Sequence, residues 1–340
     1  MRMSIRSEAQ VRAGASAGPV LALLPAVAAL AYPFWLQAAH AVAGPATLLL
    51  LFGALAMPLL AAARWWRLAS RPTCSVSGRR ARLLALLACA APPLYVFIAF
   101  ALRMLGHPVP EIAAWALAWT VAGAWTCAGG PATPVAPAPT AATAARVAHG
   151  LVAAAVLAFV AFHLANHLAG LLGPQSHAAV MRVGRMLYRR PAVEATLVLL
   201  LLLQVVLGAG LAWRWSARRV DGYRSVQVAT GVYLGFFVLA HMNSALVSAR
   251  LLNGIDTDWA WASNAPVGLL KDAWSIRLLP HYALGAFSAL AHLACGLRAV
   301  LLGHGVRPAV ANRAWRVGVA LASAVAALIA AALCGLRVAI

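Results

Sequence analysis

The sequence predicts an all-α polytopic membrane bundle of about nine transmembrane helices, and three observations carry that prediction. Of 340 residues, 64% are hydrophobic and 10% are charged, whereas a soluble globular domain carries about 25% charged residues. Mean hydropathy is +0.84. Apolar runs of about 20 residues, the length that crosses a hydrocarbon core, recur along the chain. The same composition excludes a disordered chain, which needs low hydrophobicity and high charge. The net charge of +20 sits on arginines that flank apolar runs rather than striping a soluble face. That distribution suits a membrane surface and excludes nucleic acid as a partner.

Taken in order, the spans fall at 19–42, 45–63, 83–105, 110–129, 146–172, 192–213, 226–249, 280–302 and 314–336. The first follows a basic start (Arg2, Arg6, Arg12) and could be misread as a signal peptide. Its apolar run continues through Tyr32-Pro33-Phe34-Trp35, longer than a signal-peptide core, so it counts as a span. With nine spans, the N-terminal side carries 18 Lys and Arg residues and the opposite side 9. The richer side is expected to be cytoplasmic, with the N-terminus inside and the C-terminus outside, in a bacterial inner membrane. The segment 251–279 then lies outside, with Asp256, Asp258 and Asp272, and its Trp259, Trp261 and Trp274 suit an interfacial belt.

The stretch Gly129-Gly130-Pro131 to Pro139 is too rich in proline for a helix and reads as a semi-rigid linker. It divides the chain into a four-helix part (1–129), a Pro/Ala-rich linker (130–145) and a five-helix part (146–340). The first part is kinked by Pro33, Pro58 and Pro92-Pro93 and carries few intramembrane polar groups; His40 and His107 sit at its helix ends. It reads as scaffold. The five cysteines show no CxxC spacing, which removes the usual signature of zinc, dithiol or iron–sulfur chemistry. Buried free thiols then act as small apolar groups.

Histidines in the five-helix part carry the functional signal, because an ionisable group inside a span usually faces a bundle interior or a cofactor. At 100° per residue, His149, His163 and His167 share one helix face, and so do His281 and His292. At 1.5 Å per residue, His163 lies about 26 Å up its helix and His241 about 22 Å up another that runs the same way. They are level partners. Gln204 and His292 both lie at about 15 Å, which leaves His292 level with a glutamine whose amide can hydrogen-bond it.

Two neutral imidazoles at one level can hold a b-type haem iron axially. Gly285, Ser288, Ala289, Gly296, Gly208 and Gly210 would then leave room for the macrocycle. The same small residues also let helices pack closely with no cofactor, and the same histidines can hydrogen-bond across helices or line an ion or proton path. Asn166 and Asn243 stand close to candidate ligands and could orient an imidazole or simply bond another helix. The stretch Val180–Arg190 reads as a basic amphipathic helix on the outer surface, its arginines facing propionates or lipid phosphates.

At these residues the C-terminal part, about 145–337, resembles the membrane cytochrome b subunits of succinate dehydrogenase and fumarate reductase and the wider five-helix families with their fold. The matching features are Arg146-Val-Ala-His149-Gly, Phe162-His163-Leu-Ala-Asn166, Tyr188-Arg-Arg-Pro191-Ala-Val-Glu194, Gly231-Val-Tyr-Leu with Ala240-His241, and His292-Leu-Ala-Cys-Gly296-Leu-Arg298. The resemblance implies one haem b held by His163 and His241. It places Gln204 and His292 where a second pair would stand, so a second haem lacks one ligand unless His149, His167 or His281 substitutes. It further implies electron relay to or from a quinone, near His149, Arg146 or Arg298, or a redox partner subunit. Two other readings stand beside it: a haem-free membrane scaffold or lipid-handling protein, and a proton-coupled transporter. No Asp, Glu or Lys lies deep in a span, which weakens the last.

Overall fold

The computed structural model describes residues 5–42, 44–71, 75–106, 109–128 and 142–338, and the side chains from 22 onward except that of 142. The predicted linker core at 129–141, Cys74, His107 and the basic start lie outside the described side chains. Among the described residues the regular structure is helical throughout. The N-terminal part comprises α1 (Ile5–Ala41), α2 (Pro45–Ala69), α3 (Val76–Cys89), α4 (Ala91–Met104) and α5 (Glu111–Cys127). The C-terminal part comprises α6 (Ala142–Ala169), α7 (Pro174–Tyr188), α8 (Pro191–Trp215), α9 (Gly222–Met242), α10 (Trp259–Ser263), α11 (Leu278–Gly303) and α12 (Pro308–Leu333).

Seven of these are long and apolar enough to cross a bilayer: the Ala22–Ala41 stretch of α1, then α2, α6, α8, α9 with its extension to Leu252, α11 and α12. The span expected at 83–105 is instead the bent pair α3–α4, turning by 71°. Pro92 and Pro93 explain the break. Neither can donate an amide to the preceding turn, so α3 stops at Cys89 and α4 restarts with prolines in its first turn, where no amide is required. The fourth expected span, 110–129, corresponds to α5, whose 17 residues reach about 26 Å, at the short end of the lengths that cross a hydrocarbon core.

Helix starts follow local chemistry. Ser75 accepts from the Gly78 amide at 3.1 Å, Asp221 from Arg224 at 2.7 Å and Asp258 from Trp261 at 2.9 Å, each satisfying an amide that the first turn leaves open. The expected amphipathic surface helix is α7, which buries His177, Met181 and Gly184 on one face. Beyond Met242 the α9 axis continues as a π-helical stretch, Asn243–Leu252.

The two parts share one core. Tyr32, Tyr95, Trp115 and Trp119 meet edge to face with ring centroids 5.2 to 6.0 Å apart, and the same cluster takes in Val228 and Ala229 of α9. At one end of the bundle, Arg82 is 2% exposed and donates to the carbonyls of Leu68, Arg71, Ser216 and Arg218 at 2.8–3.2 Å. At the opposite end Arg277 pairs with Glu111, and Arg185 with Asp256. Trp259, expected in an interfacial belt, is buried: its indole fills the space over Gly170, where a Cβ would come within 2.1 Å of the ring.

Helix α8 differs from its neighbours. It packs on α6 and α9 yet buries none of its residues. One face looks outward and the other faces the cavity described next.

Candidate cofactor cavity

Helices α6, α8, α9, α11 and α12 border a half-open cavity of about 1650 Å³, walled at one end by Leu83, Leu84, Leu86 and Leu87 of α3 and Trp125 of α5. Protein interiors leave few voids larger than a water molecule, and ordinary ligand pockets span about 300–1,000 Å³. The wall of this space is mainly aliphatic and aromatic, but Arg146, Arg224, Glu194 and six histidines also reach it, so it has room for a large guest that is apolar in most of its surface. Helix α8 contributes Glu194, Leu197, Leu201, Gln204, Gly208 and Leu211 to the wall. Their spacing of three or four residues is one face of the helix.

His163 and His241, placed at one level by counting residues, have ring centroids 5.9 Å apart, and both line the cavity. Neither ring makes a hydrogen bond to a described side chain or backbone group, and the Nδ1 of His241 is buried without a partner. Phe237, one turn earlier on α9, lies parallel to the His241 ring at 5.4 Å and fixes its plane. His167 meets His163 edge to face at 4.7 Å. Beyond it His177, on α7, lies 5.6 Å from His167 and takes its hydrogen bond from Asn166 at 3.2 Å. Asn166 thus orients a histidine, but that of α7 rather than a span ligand. Asn243 opens the π-helical stretch and is not part of the wall.

His281 also departs from expectation. It is 1% exposed and separated from His241 by Phe237, which lies 4.6 Å from its ring. Gly285, expected to make room for a cofactor, instead receives Phe237: a Cβ there would come within 2.3 Å of the ring. His281 and His292 share a helix face by angle, yet of the two only His292 lines the cavity.

A second polar level lies lower on the same helices. The expected Gln204–His292 hydrogen bond is absent; Gln204 Nε2 lies 3.1 Å from His149 Nε2. Helix α8 packs on α6 and α9, so its glutamine reaches the α6 histidine first. His292 bonds through Nδ1 to the Gln227 carbonyl at 3.0 Å and lies 3.3 Å from the Thr230 hydroxyl. Its ring centroid is 6.2 Å from that of His149.

No protein-family model, curated protein or solved structure matches the chain. The site therefore stands on its own geometry. Among the described residues no three His, Cys, Asp or Glu side chains converge as ligands for a bare metal ion; haem iron asks only two axial ligands of the protein.

The sequence reading missed Phe237, Gln227 and Thr230. Periodicity held a signal for both polar residues: Gln227 and Thr230 fall within the same 100° arc of α9 as Gly231. The arginines of the stretch Val180–Arg190 were expected to face propionates or lipid phosphates, and two of them face a carboxylate: Asp256 accepts from Arg185 at 2.9 Å and from Arg189 at 3.4 Å. That pairing holds the Asp256 carboxyl below its usual range, the hydrogen bond from Arg185 being the main cause.

Proposed function

We propose that the chain is an integral membrane b-type cytochrome that holds haem b between α6 and α9 through His163 and His241. One observation carries this reading: two imidazoles 5.9 Å apart, free of hydrogen bonds to described residues, face a 1650 Å³ mainly apolar cavity. With metal–nitrogen bonds of about 2 Å and each ring centre about 1 Å deeper, imidazoles that share a metal have centroids about 6 Å apart. Haem would supply one-electron chemistry, and the chain would set its position, its access and the polarity around it. His167 packs edge to face on the His163 ring at 4.7 Å and limits its rotation.

In this reading electrons pass between the haem and a quinone or a redox partner subunit, in a bacterial inner membrane with the N-terminus inside. The likeness of the C-terminal part to succinate dehydrogenase and fumarate reductase cytochrome b subunits supports it. So does the 18-to-9 division of basic residues. The N-terminal helices serve as wall and scaffold.

A second reading is favoured by the unburied helix α8, which leaves the cavity side-on to lipid: a haem-free lipid-handling protein with the same fold. Visible spectra of the purified protein separate the two. A reduced-minus-oxidised α-band of bis-imidazole type, abolished in His163→Ala and in His241→Ala, supports the cytochrome. Purified protein without haem, but with co-purifying lipid, supports the rival.

A further inference from the structure

We infer that the Arg82 end of the cavity opens sideways between α6 and α12 as a portal for one anionic phospholipid, with its phosphate on Arg146 and Arg224 and an acyl chain in the lower half of the cavity. This goes beyond the cytochrome reading, which uses only the upper histidines, and it stands whether or not haem is bound.

The portal follows from how two helix faces pair. Arg146, Gly150, Ala154, Leu157, Leu164 and Leu168 fall within an arc of about 80° on α6, and Ala314, Gly318, Leu321, Val325 and Ile329 within a similar arc on α12. Far from Arg82 these faces meet. Leu164, Leu168 and Leu171 join Ala326, Ile329, Ala332 and Leu333 in one core, and the Val338 amide, just past α12, donates to the Leu171 carbonyl at 2.9 Å. Toward the Arg82 end they part. Leu157 is 43% exposed and Leu321 59% exposed, although both line the cavity. Leu297 of α11 does the same at 51%, and a Cβ on Gly150 would meet nothing within 4 Å. A side chain that lines a cavity and is also exposed marks an opening, and around a spanning helix the opening faces acyl chains. From Arg146 to Leu157 the slot rises eleven residues, about 16 Å, or roughly half of a 30 Å hydrocarbon core. That is the depth of one leaflet.

Charge selects the occupant. Arg146 and Arg224 line the mouth, and among the described residues neither has a carboxylate partner. Arg224 donates to the Gln227 side-chain oxygen and lies over the Trp215 ring at 4.5 Å. Arg146 donates to the Thr143 hydroxyl at 3.3 Å. Asp221, at the start of α9, accepts from the Arg224 backbone amide rather than from its guanidinium. Two guanidiniums with donors left over match a phosphate, which takes paired N–H···O bonds. An uncharged amphiphile would leave both charges uncompensated. The proposed topology puts this end in the cytoplasmic leaflet, the one that carries anionic lipid.

The test is electron paramagnetic resonance of spin-labelled lipids, with the full chain reconstituted in phosphatidylcholine vesicles. Chain-labelled phosphatidylglycerol should enter the motionally restricted component several-fold more than chain-labelled phosphatidylcholine. Each arginine near an anionic surface is worth roughly fivefold, so Arg146→Gln with Arg224→Gln should bring the two lipids close to parity. Arg146→Lys with Arg224→Lys should restore the preference; a lysine pair that behaves like the glutamine pair points to lost packing and overturns the role of charge. Equal restriction of both lipids by the native chain overturns the site. So does an equal fall in Arg313→Gln with Arg316→Gln, exposed arginines turned away from the cavity face of α12, because the attraction is then diffuse. Ala154→Trp should fill the slot and remove the preference with both charges in place; an unchanged preference overturns the portal. Release of the labelled lipid by millimolar inorganic phosphate would mark a site for free anions and overturn lipid as the occupant. Haem content of the same samples decides the cytochrome reading separately, so either can fail alone.

Discussion

Arg277 and Glu111 form a two-pronged ion pair, Nη1 to Oε2 at 2.8 Å and Nη2 to Oε1 at 2.7 Å, across 166 residues of sequence. Tyr95 donates to the same carboxylate at 3.0 Å and lies under the guanidinium at 4.6 Å. The pair ties the start of α5 to the entry of α11, so it fastens the N-terminal part to the helix that carries His292.

Glu111→Gln leaves a guanidinium with 7% exposed side chain facing a neutral amide. Removing one partner of a buried pair costs about 3 kcal/mol, because the remaining charge keeps its desolvation cost. Thermal unfolding in detergent should register that loss. The double replacement Glu111→Gln with Arg277→Met should recover much of it, since no charge is then left buried.

Gly285→Val acts at a distance of one ring. The added carbons meet Phe237, whose plane is within 10° of the His241 imidazole. Overpacking of this kind costs about 1–3 kcal/mol. In the cytochrome reading it also tilts the ligand, so a lower melting temperature should come with a broadened or shifted α-band. The same substitution at Gly210, where a Cβ meets nothing within 4 Å, should leave the spectrum unchanged.

Haem loading should stabilise the folded chain by mass action. A guest that binds only the folded form at a hundred times its dissociation constant contributes about 2.7 kcal/mol. Protein made under haem limitation should therefore melt at a lower temperature, and added hemin should raise it in the native chain but not in His163→Ala combined with His241→Ala.

On α7, burial pushes the His177 imidazole down to about 4, with repulsion from His163 and Arg185 adding to it and Asp258 opposing. Above pH 6.5 the ring is neutral folded and unfolded, and pH has no effect through it. Between pH 6.5 and about 4 the unfolded chain takes up a proton that the folded chain refuses, so stability falls with pH across that window. His177→Gln, which retains a partner for Asn166, should flatten the fall in melting temperature over the same range.

Reporter fusions check the sidedness. A reporter after Ser70, at the end of α2, should be cytoplasmic, and one at Asp258 should lie outside. The reverse pattern would invert the arrangement while leaving the bundle unchanged.

The helices were legible because a bilayer sets their length and hydropathy so tightly. The break at Ala90 was half legible: the prolines were visible, but a kink and a 71° turn read alike in one dimension. Depth counting brought His163 beside His241 because both sit on regular helices of the same direction, where rise per residue is reliable. It could not tell which neighbour Gln204 would reach, since lateral packing, not depth, chose α6 over α11. His281 looked equivalent to His292 by angle and was cut off by Phe237, a contact between helices that no periodicity encodes. Trp259 was misread for a similar reason: an indole suits an interface, but a glycine at 170 gave it a place inside.

Arg82 has a history as well as a position. Its Nη1 donates to the carbonyls of Ser216 and Arg218, 134 and 136 residues later in the chain. At about 5–20 residues per second, a ribosome makes those acceptors roughly 7–27 s after the guanidinium. Leu68 and Arg71, already synthesised, can hold the charge in the meantime through Nε and Nη2. The first helices thus emerge carrying half of a clasp, and the growing chain closes it only after α8 has been threaded. Order of birth becomes part of the architecture.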